Sequence, residues 1–197
     1  MSTNLKVLLA NSDPQRAAAV ERSLGDRGNV LIVRVPEAWS IHDAVAAMTP
    51  DVVIVDMAHP DRSALDDLRR LSAVNPRPIV LFVERDDRAF MEEAIAAGVC
   101  SYNVVDAAFP DVKPIVMAAV AIFRKYRQIE VELARASTSL RERQAIDRAK
   151  ALLMKQRNVG EPEAYRWLRR RAMNENKRIA AVAVELIANE ENGDAKP

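Results

Sequence analysis

The sequence predicts a doubly wound α/β domain with a parallel, five-stranded sheet, followed by a long coiled-coil helix and a small all-α domain of three helices. Two observations lead to this prediction. Short apolar runs alternate with amphipathic stretches in the first half of the 197-residue chain, whereas helical spacing continues through most of the second half. A chain of this length accommodates one domain or two small ones.

Five short runs rich in Val, Ile and Leu are the predicted strands. They cover residues 5–10, 30–35, 51–56, 78–83 and, more weakly, 102–105. Continuous apolar runs of this length are typical of parallel strands that are buried on both faces. Five strand–helix repeats imply right-handed crossovers and a flavodoxin-like, doubly wound sheet.

The stretches between these strands have apolar residues at helical spacing. The predicted helices cover residues 14–24, 38–48, 63–72 and 86–97, and the last of them ends at Gly98. Ligand sites on such sheets lie at the carboxyl ends of the strands. Those ends hold Asn11, Ser12, Asp13, Asp56, Val83 and Glu84.

A heptad pattern begins at Val112 and continues for four heptads. Nothing between Pro114 and Asn158 breaks a helix, and at about 1.5 Å per residue this stretch is on the order of 60 Å long, too long to bury on a domain of this size. We therefore expect a coiled-coil linker over residues 112–143 that forms a homodimer. The alternative, in which the stripe only caps the first domain, remains open. The expected dimer seam consists of Ala119, Ile122, Tyr126, Ile129, Leu133, Ala136 and Leu140.

The segment after this linker predicts the small helical domain, over residues 140–190. Turns at residues 158–160 and 174–176 separate three helical patterns, and Pro162 suits an early helical position. Residues 191–197 are expected to form a polar, disordered tail.

Charge and composition limit the function classes. The net charge of +1 divides into −5 over residues 1–123 and +6 over residues 124–197, which suggests two units with different partners. One cysteine and two histidines exclude an intramolecular disulfide framework and argue against a zinc site. No run of 18 apolar residues occurs. We therefore expect a soluble, cytoplasmic protein with no membrane partner and no cofactor.

Asp56 directly follows the third apolar run, at the carboxyl end of a central strand. A carboxylate there can attack a phosphoryl group, provided that a divalent cation and a cationic side chain neutralise the charge. An N-cap or surface-loop role is the alternative for this residue alone. The strand order, the position of Asp56 and the stretch AIAAGVCSY of residues 94–102 resemble the receiver domain of bacterial response regulators, over residues 1–120.

The acidic site departs from the receiver pattern. Receivers usually place two acidic residues after the first strand to hold Mg²⁺, whereas this chain has Asn11 and Ser12, with Asp13 one place later. Hard cations need several oxygen ligands. Asp13 and Asp56 would therefore form a weak metal site at best, and we predict none.

The switch positions depart from the pattern as well. Val83 stands where receivers carry Thr or Ser, and Val105 or Asp106 stands where they carry Lys. Without the hydroxyl, the switch lacks its hydrogen bond to a phosphate, and without the Lys nothing offsets the charge that develops on the phosphoryl oxygens. We therefore predict a degenerate receiver-like domain in which Asp56 is not phosphorylated in normal signalling.

Basic side chains concentrate between Arg141 and Arg178, where the net charge is +7. Local positive charge of this size is typical of nucleic-acid binding, with a solvated charged face as the alternative. Several of these cations recur at helical spacing beside a tyrosine, which suits phosphate contact combined with stacking on unpaired bases. The candidate RNA-binding residues are Arg143, Lys150, Arg157, Tyr165, Arg166, Arg169 and Arg170.

The same segment is similar to the ANTAR domain, a three-helix RNA-binding unit of transcription antiterminators. The similarity runs from Asp147 to Leu186, with Ala151 in place of the Gly that the family often has. The resemblance implies a domain core built from Ala149, Leu153, Met154, Ala164, Leu168, Ala172 and Met173.

The domain order resembles regulators of nitrate assimilation (NasT type) and of amidase expression (AmiR type), and the pattern at Val83 and Asp106 favours the nitrate type. This resemblance implies a dimeric antiterminator that binds two adjacent stem-loops with hexanucleotide loops in a leader transcript. It also implies a sensor protein that sequesters the regulator until a small ligand arrives.

Two other functions remain open. One is a phosphorylation-switched two-component response regulator with the same RNA-binding output, and the other is a protein–protein adaptor. An enzyme has little support, because no nucleophile–base pair or metal cluster is evident in the sequence outside the receiver-like site.

Overall fold

The structure is a computed structural model that describes residues 5–11, 13–25, 30–35, 39–57, 62–105 and 110–193, without the side chains of residues 11, 62 and 191–193. The chain divides into two compact units, Met1–Arg127 and Gln128–Pro197. In chain order, the elements are β1 Leu5–Asn11, α1 Pro14–Gly25, β2 Val30–Arg34, α2 Ile41–Met48, β3 Val52–Met57, α3 Arg62–Val74, β4 Ile79–Val83, α4 Arg88–Ala96, β5 Ser101–Val104, α5 Val112–Arg157, α6 Glu161–Asn174 and α7 Ile179–Gly193.

The five strands are parallel and follow the order β2-β1-β3-β4-β5. This is the order of flavodoxin-like folds, so the predicted fold class is confirmed. The register pairs Asn11 of β1 with Asp56 of β3, and Asp56 with Phe82 of β4. The carboxyl end of β3 therefore lies beside the point at which the strand order reverses, where such sheets bind their ligands.

Helices cover both faces of this sheet. Val7 and Leu9 of β1 pack with α1 and the start of α5 on one face, whereas Leu8 packs with α2, α3 and α4 on the other. Strands β3 and β4 are buried along nearly their whole length. Continuous apolar runs are required for strands in this position, which explains the pattern in the sequence.

The loop from α4 to β5 depends on Gly98. This residue has a φ of 102°, a left-handed conformation that side chains rarely adopt. A Cβ at this position would also collide with the side chain of Ser72 on α3. Gly98 therefore ends the helix and lets α3 approach, as its place after the helical pattern predicts.

The first turns of α5 belong to the core of the sheet domain. Val112, Val116 and Ala119 are buried against the sheet. The assignment of Ala119 to the dimer seam is therefore wrong, because the apolar stripe at its start serves the core of its own domain. From Ile122 onward, the large apolar residues of the seam are exposed.

The second unit packs three helices around a separate core. The buried residues of this core are Ala149, Leu153, Ala164, Leu168, Ala172, Val182 and Ala183. Asn158 and Asn176, each with a φ of 51°, form the turns between the helices. Pro162 lies in the first turn of α6, where its missing N–H leaves no hydrogen bond unmade.

Two methionines assigned to this core lie outside it. Met154 is 39% exposed and Met173 is 72% exposed. Each directly follows a buried residue, Leu153 or Ala172, and one step along a helix rotates the side chain by about 100°. The family resemblance therefore gave the correct helices but the wrong face for these two side chains.

The last helix is longer than the sequence suggested. It continues to Gly193, so that the first residues of the expected tail are helical. Polarity alone does not end a helix, since glutamate is a good helix former and glycine is a common terminator. The rest of the expected tail, residues 194–197, lies outside the described residues. No helix in the described ranges combines the length and the apolar composition needed to cross a lipid bilayer.

Candidate functional site

The carboxyl end of β3 carries a buried ion pair. Asp56 is 4% exposed, and the guanidinium of Arg16 on α1 binds both of its carboxylate oxygens. Arg16 Nε donates a hydrogen bond to Asp56 Oδ2 at 2.9 Å, and Nη2 donates to Oδ1 at 2.5 Å. The third nitrogen, Nη1, donates to Glu84 Oε1 at 3.2 Å, just beyond β4. One cation therefore binds two acids at the carboxyl ends of the neighbouring strands β3 and β4.

Arg16 reaches this position because α1 begins beside the end of β1. The carboxylate of Asp13 accepts hydrogen bonds from the backbone N–H groups of Gln15 at 2.7 Å and of Arg16 at 3.4 Å. These are the contacts of an N-cap, which fixes the first turn of a helix. Asp13 therefore orients the turn from which Arg16 extends to Asp56.

This ion pair supplies the positive charge that the receiver resemblance assigns to a metal ion. The hydrogen bonds to Asp56, opposed in part by burial, raise the pKa of Arg16, so the guanidinium is charged at any physiological pH. Magnesium requires near-octahedral oxygen ligands, whereas Arg16 binds both oxygens of Asp56. The described residues thus do not fit a magnesium site, and no group of three His, Cys, Asp or Glu residues among them could hold a metal ion.

The switch positions near Asp56 are apolar where they are described. Val83 and Val105 are buried, and their side chains have no hydrogen-bonding group for a phosphate. The predictions for Ser12 and Asp106 lie outside the described residues. The N–H groups of Arg16 bind the two carboxylate oxygens of Asp56, and one of these oxygens would have to attack phosphorus in a phosphorylated receiver.

The sequence pattern did not indicate Arg16, because an arginine in the first turn of a helix resembles an ordinary surface residue. A usable signal was present. The ends of three neighbouring strands carry Asp13, Asp56 and Glu84, and a cation placed among them would stabilise their negative charges. Arg16 is the first basic residue that follows one of those strand ends.

Three candidate RNA-binding arginines of the second unit are exposed and have no hydrogen-bond or ion-pair partner among the described residues. They are Arg143 on α5 and the adjacent Arg169 and Arg170 on α6. Tyr165, one turn before Arg169, is exposed as well. A guanidinium that no acid holds can bind a phosphate without first breaking an ion pair.

Lys150 is engaged within its own domain. Its Nζ lies 2.7 Å from Asp147 Oδ1 and 2.7 Å from Glu161 Oε1, and its side chain is 17% exposed. Hydrogen bonds to these two acids raise the pKa of Lys150. The side chain thus joins α5 to the start of α6, and this structural contact competes with the expected contact to RNA.

Arg157 and Arg166 are also engaged. The guanidinium carbon of Arg157 lies 4.7 Å from the centroid of the Trp167 ring, and that of Arg171 lies 5.4 Å from the same centroid. Such cation–π contacts stabilise the packing of helices. Arg166 donates a hydrogen bond from Nε to the carbonyl oxygen of Pro162 at 3.3 Å.

A second row of cations, which sequence analysis did not single out, also lies on α5. Arg141, Arg148 and Lys155 recur at seven-residue spacing and line two grooves between α5 and α7, of about 320 and 330 Å³. The spacing of this row is the same as that of Arg143 and Lys150. Spacing alone therefore could not show which row faces a groove.

Comparison with known proteins identifies the second unit. Residues 134–187 match the ANTAR domain family, so an ANTAR domain is present. Over 185 residues, the chain is 28% identical to the transcriptional regulatory protein PdtaR of Mycobacterium tuberculosis, a match that covers 92% of this chain and 90% of that protein. It is also 32% identical over 96 residues to the transcriptional regulatory protein KdpE of the same species. This match covers 49% of this chain and 42% of KdpE.

Solved structures resemble the first unit in fold. The signal receiver domain of the response regulator NarL from Mycobacterium tuberculosis superposes with a TM-score of 0.51 at 20% identity, covering 59% of this chain and 97% of that chain. The signal receiver domain of a LuxO repressor protein from Vibrio parahaemolyticus gives a TM-score of 0.53 at 16% identity, covering 64% of this chain and 98% of that chain. These likenesses establish a receiver fold for the sheet domain.

Proposed function

We propose that this chain is an RNA-binding transcription antiterminator, which binds paired stem-loops in a leader transcript and prevents formation of the terminator. The observation that carries the proposal is a set of exposed arginines on the ANTAR domain that, within the described residues, no acid holds: Arg143, Arg169 and Arg170. Such cations support binding to a polyanion, and the ANTAR resemblance supports RNA as that polyanion.

The proposed active form is a homodimer that pairs α5 of one chain with α5 of another. Beyond Ala119, the heptad seam presents large apolar side chains to solvent, and Leu133 among them is 68% exposed. Apolar residues at a and d positions bury themselves against a second helix of the same kind. Two RNA-binding units in one dimer would bind two stem-loops together, which raises the overall affinity.

The proposed input is a sequestering sensor protein and not phosphorylation of Asp56. The Arg16–Asp56 ion pair supports this choice, because it removes the free carboxylate that phosphoryl transfer needs. The resemblance to nitrate-type regulators extends the proposal to nitrate or nitrite assimilation, in the cytoplasm. PdtaR, which matches 92% of this chain, is a transcriptional regulatory protein, in keeping with a protein that acts by binding.

Crosslinking in the source organism tests this function. The protein is crosslinked to RNA in growing cells, and the bound transcripts are sequenced. We expect leader regions with two neighbouring hairpins upstream of a terminator, and increased read-through when purified protein is added to transcription of such a leader. Recovery of no RNA above an uncrosslinked control, or unchanged read-through, would contradict the proposal.

A further inference from the structure

A cleft of about 720 Å³ lies in the second unit between α5, the end of α6 and the start of α7. We call it the ANTAR cleft, and its apolar floor includes Ile146 and Ile179. Sites for small organic groups have volumes of roughly 300 to 1,000 Å³. The ANTAR cleft is therefore large enough for one nucleotide.

Met173 forms an apolar wall of this cleft and is 72% exposed. A methionine so exposed at the end of α6 contributes little to the core of its own domain, since the neighbouring Ala172 fills that position. Its thioether is polarisable and packs well against flat rings. An unpaired nucleobase offers such a ring.

The rim of the ANTAR cleft is positive. Arg169, Lys177 and Arg178 line it with a single acid, Glu142, which lies 3.8 Å from Arg178. Lys177 is held by Glu175 and Glu185 at 3.1 and 2.7 Å.

Arg169 is the cation that no described acid neutralises, so it is the one available to a phosphate. Asn176, in the turn between α6 and α7, adds an exposed amide with both donor and acceptor groups.

We propose that the ANTAR cleft receives one unpaired nucleobase from the loop of the bound RNA. The base packs against Met173, Arg169 binds the adjacent phosphate, and the amide of Asn176 meets the edge of the base. This inference rests on the proposed function and adds to it the part of the RNA that is recognised. A protein partner fits less well, because an apolar floor with an uncompensated arginine at its rim matches a base joined to a phosphate.

The test uses the full-length protein and a hairpin RNA with a hexanucleotide loop, chosen by selection from a pool with randomised loops. Each loop position is replaced in turn by an abasic nucleotide, and affinities are measured by fluorescence anisotropy. We expect Met173→Ala to weaken binding of the intact hairpin about tenfold. One loop position holds the base that enters the ANTAR cleft. In the hairpin that is abasic at that position, Met173→Ala should change the affinity by less than about twofold, because the contact between the base and Met173 is already absent.

Two further variants make the outcome decisive. Met154→Ala is the matched control, since Met154 is the other exposed methionine of the domain and does not line the cleft. Met173→Leu retains apolar bulk and should restore most of the affinity. If wild-type protein selects no hairpin, the proposed function fails. If wild-type protein binds a hairpin, two results overturn the ANTAR cleft proposal alone. One is a loss of affinity in Met173→Ala no larger than that in Met154→Ala. The other is a loss of affinity in Met173→Ala that adds to the loss caused by an abasic nucleotide at every loop position.

Discussion

Arg16 binds both carboxylate oxygens of Asp56, at 2.9 and 2.5 Å, and so occupies the groups that a receiver would use to accept a phosphoryl group. Its remaining nitrogen binds Glu84. The charge of a guanidinium does not depend on metal concentration or on a kinase. The sheet domain therefore has a permanent cation bound to the carboxylate that lies at the phospho-acceptor position of the receiver resemblance.

The first prediction concerns phosphorylation of Asp56. Incubation of the purified protein with acetyl phosphate and Mg²⁺ should leave Asp56 unmodified, because its oxygens are held by Arg16 and its side chain is buried. Intact-protein mass spectrometry measures the modification, with a phosphorylatable receiver as the positive control. A stoichiometric, acid-labile phosphate on Asp56 that also alters RNA binding would disprove this account of the site.

The second prediction concerns stability. Arg16→Met should lower the free energy of unfolding by about 3 kcal/mol, because it removes the cation that binds both oxygens of the buried Asp56 carboxylate. The double variant Arg16→Met/Asp56→Leu should recover much of that loss, since the buried charge is then gone. Urea unfolding measures both values. Arg34→Met is the control, because Arg34 makes an exposed ion pair with Glu21; a loss no larger than that of the control would contradict the prediction.

Features set by residues close together in the sequence could be predicted, and contacts between residues far apart in the sequence could not. The strands and helices follow from apolar spacing, a property of neighbouring residues, so their order was predicted correctly. The Arg16–Asp56 ion pair joins residues 40 positions apart, and no spacing rule connects them. Only the sheet register, which aligns the strand ends, brings the two together.

The candidate RNA site shows the same limit. Arg169 and Lys150 were both candidate RNA-binding residues, yet the first has no described acid beside it and the second lies between Asp147 and Glu161. Charge counting cannot distinguish them, because the acids come from different turns and helices. Ala119 was assigned to the wrong surface for a related reason. The start of the heptad stripe packs into the core of the sheet domain, whereas the rest of the stripe is the proposed dimer seam, and the spacing is the same in both parts.

The third prediction concerns the dimer. Leu133→Lys should convert the protein to a monomer at micromolar concentration, because it puts a charge into the proposed a/d seam. Val131→Lys is the matched control: Val131 is exposed on the same helix but lies on the face opposite the seam. Sedimentation velocity distinguishes the two states. A wild-type protein that is already monomeric, or equal dissociation by both variants, would rule out pairing through this seam.

The fourth prediction separates phosphate contacts from structural cations. Arg170→Gln should weaken RNA binding for every loop sequence and reduce the slope of log affinity against log salt by about 1, if Arg170 contacts one phosphate. Lys150→Met should change the salt slope less, since Lys150 is held by two acids, and should instead loosen the junction of α5 and α6. RNA affinities measured at several salt concentrations show which residue contacts a phosphate. Thermal unfolding of each variant shows which residue stabilises the domain. The assignment of Arg170 would have to be withdrawn if the larger slope change came from Lys150→Met.

The most direct test of the central claim is the affinity of the full-length protein for three RNAs: one with two neighbouring hairpins, one with a single hairpin and one with scrambled loops. A dimer with two RNA-binding units should bind the paired hairpins about a hundredfold more tightly than the single hairpin. It should bind the scrambled RNA more weakly still, and its affinity for the paired hairpins should fall steeply with salt. Equal affinity for all three RNAs would contradict the claim that this chain reads paired stem-loops.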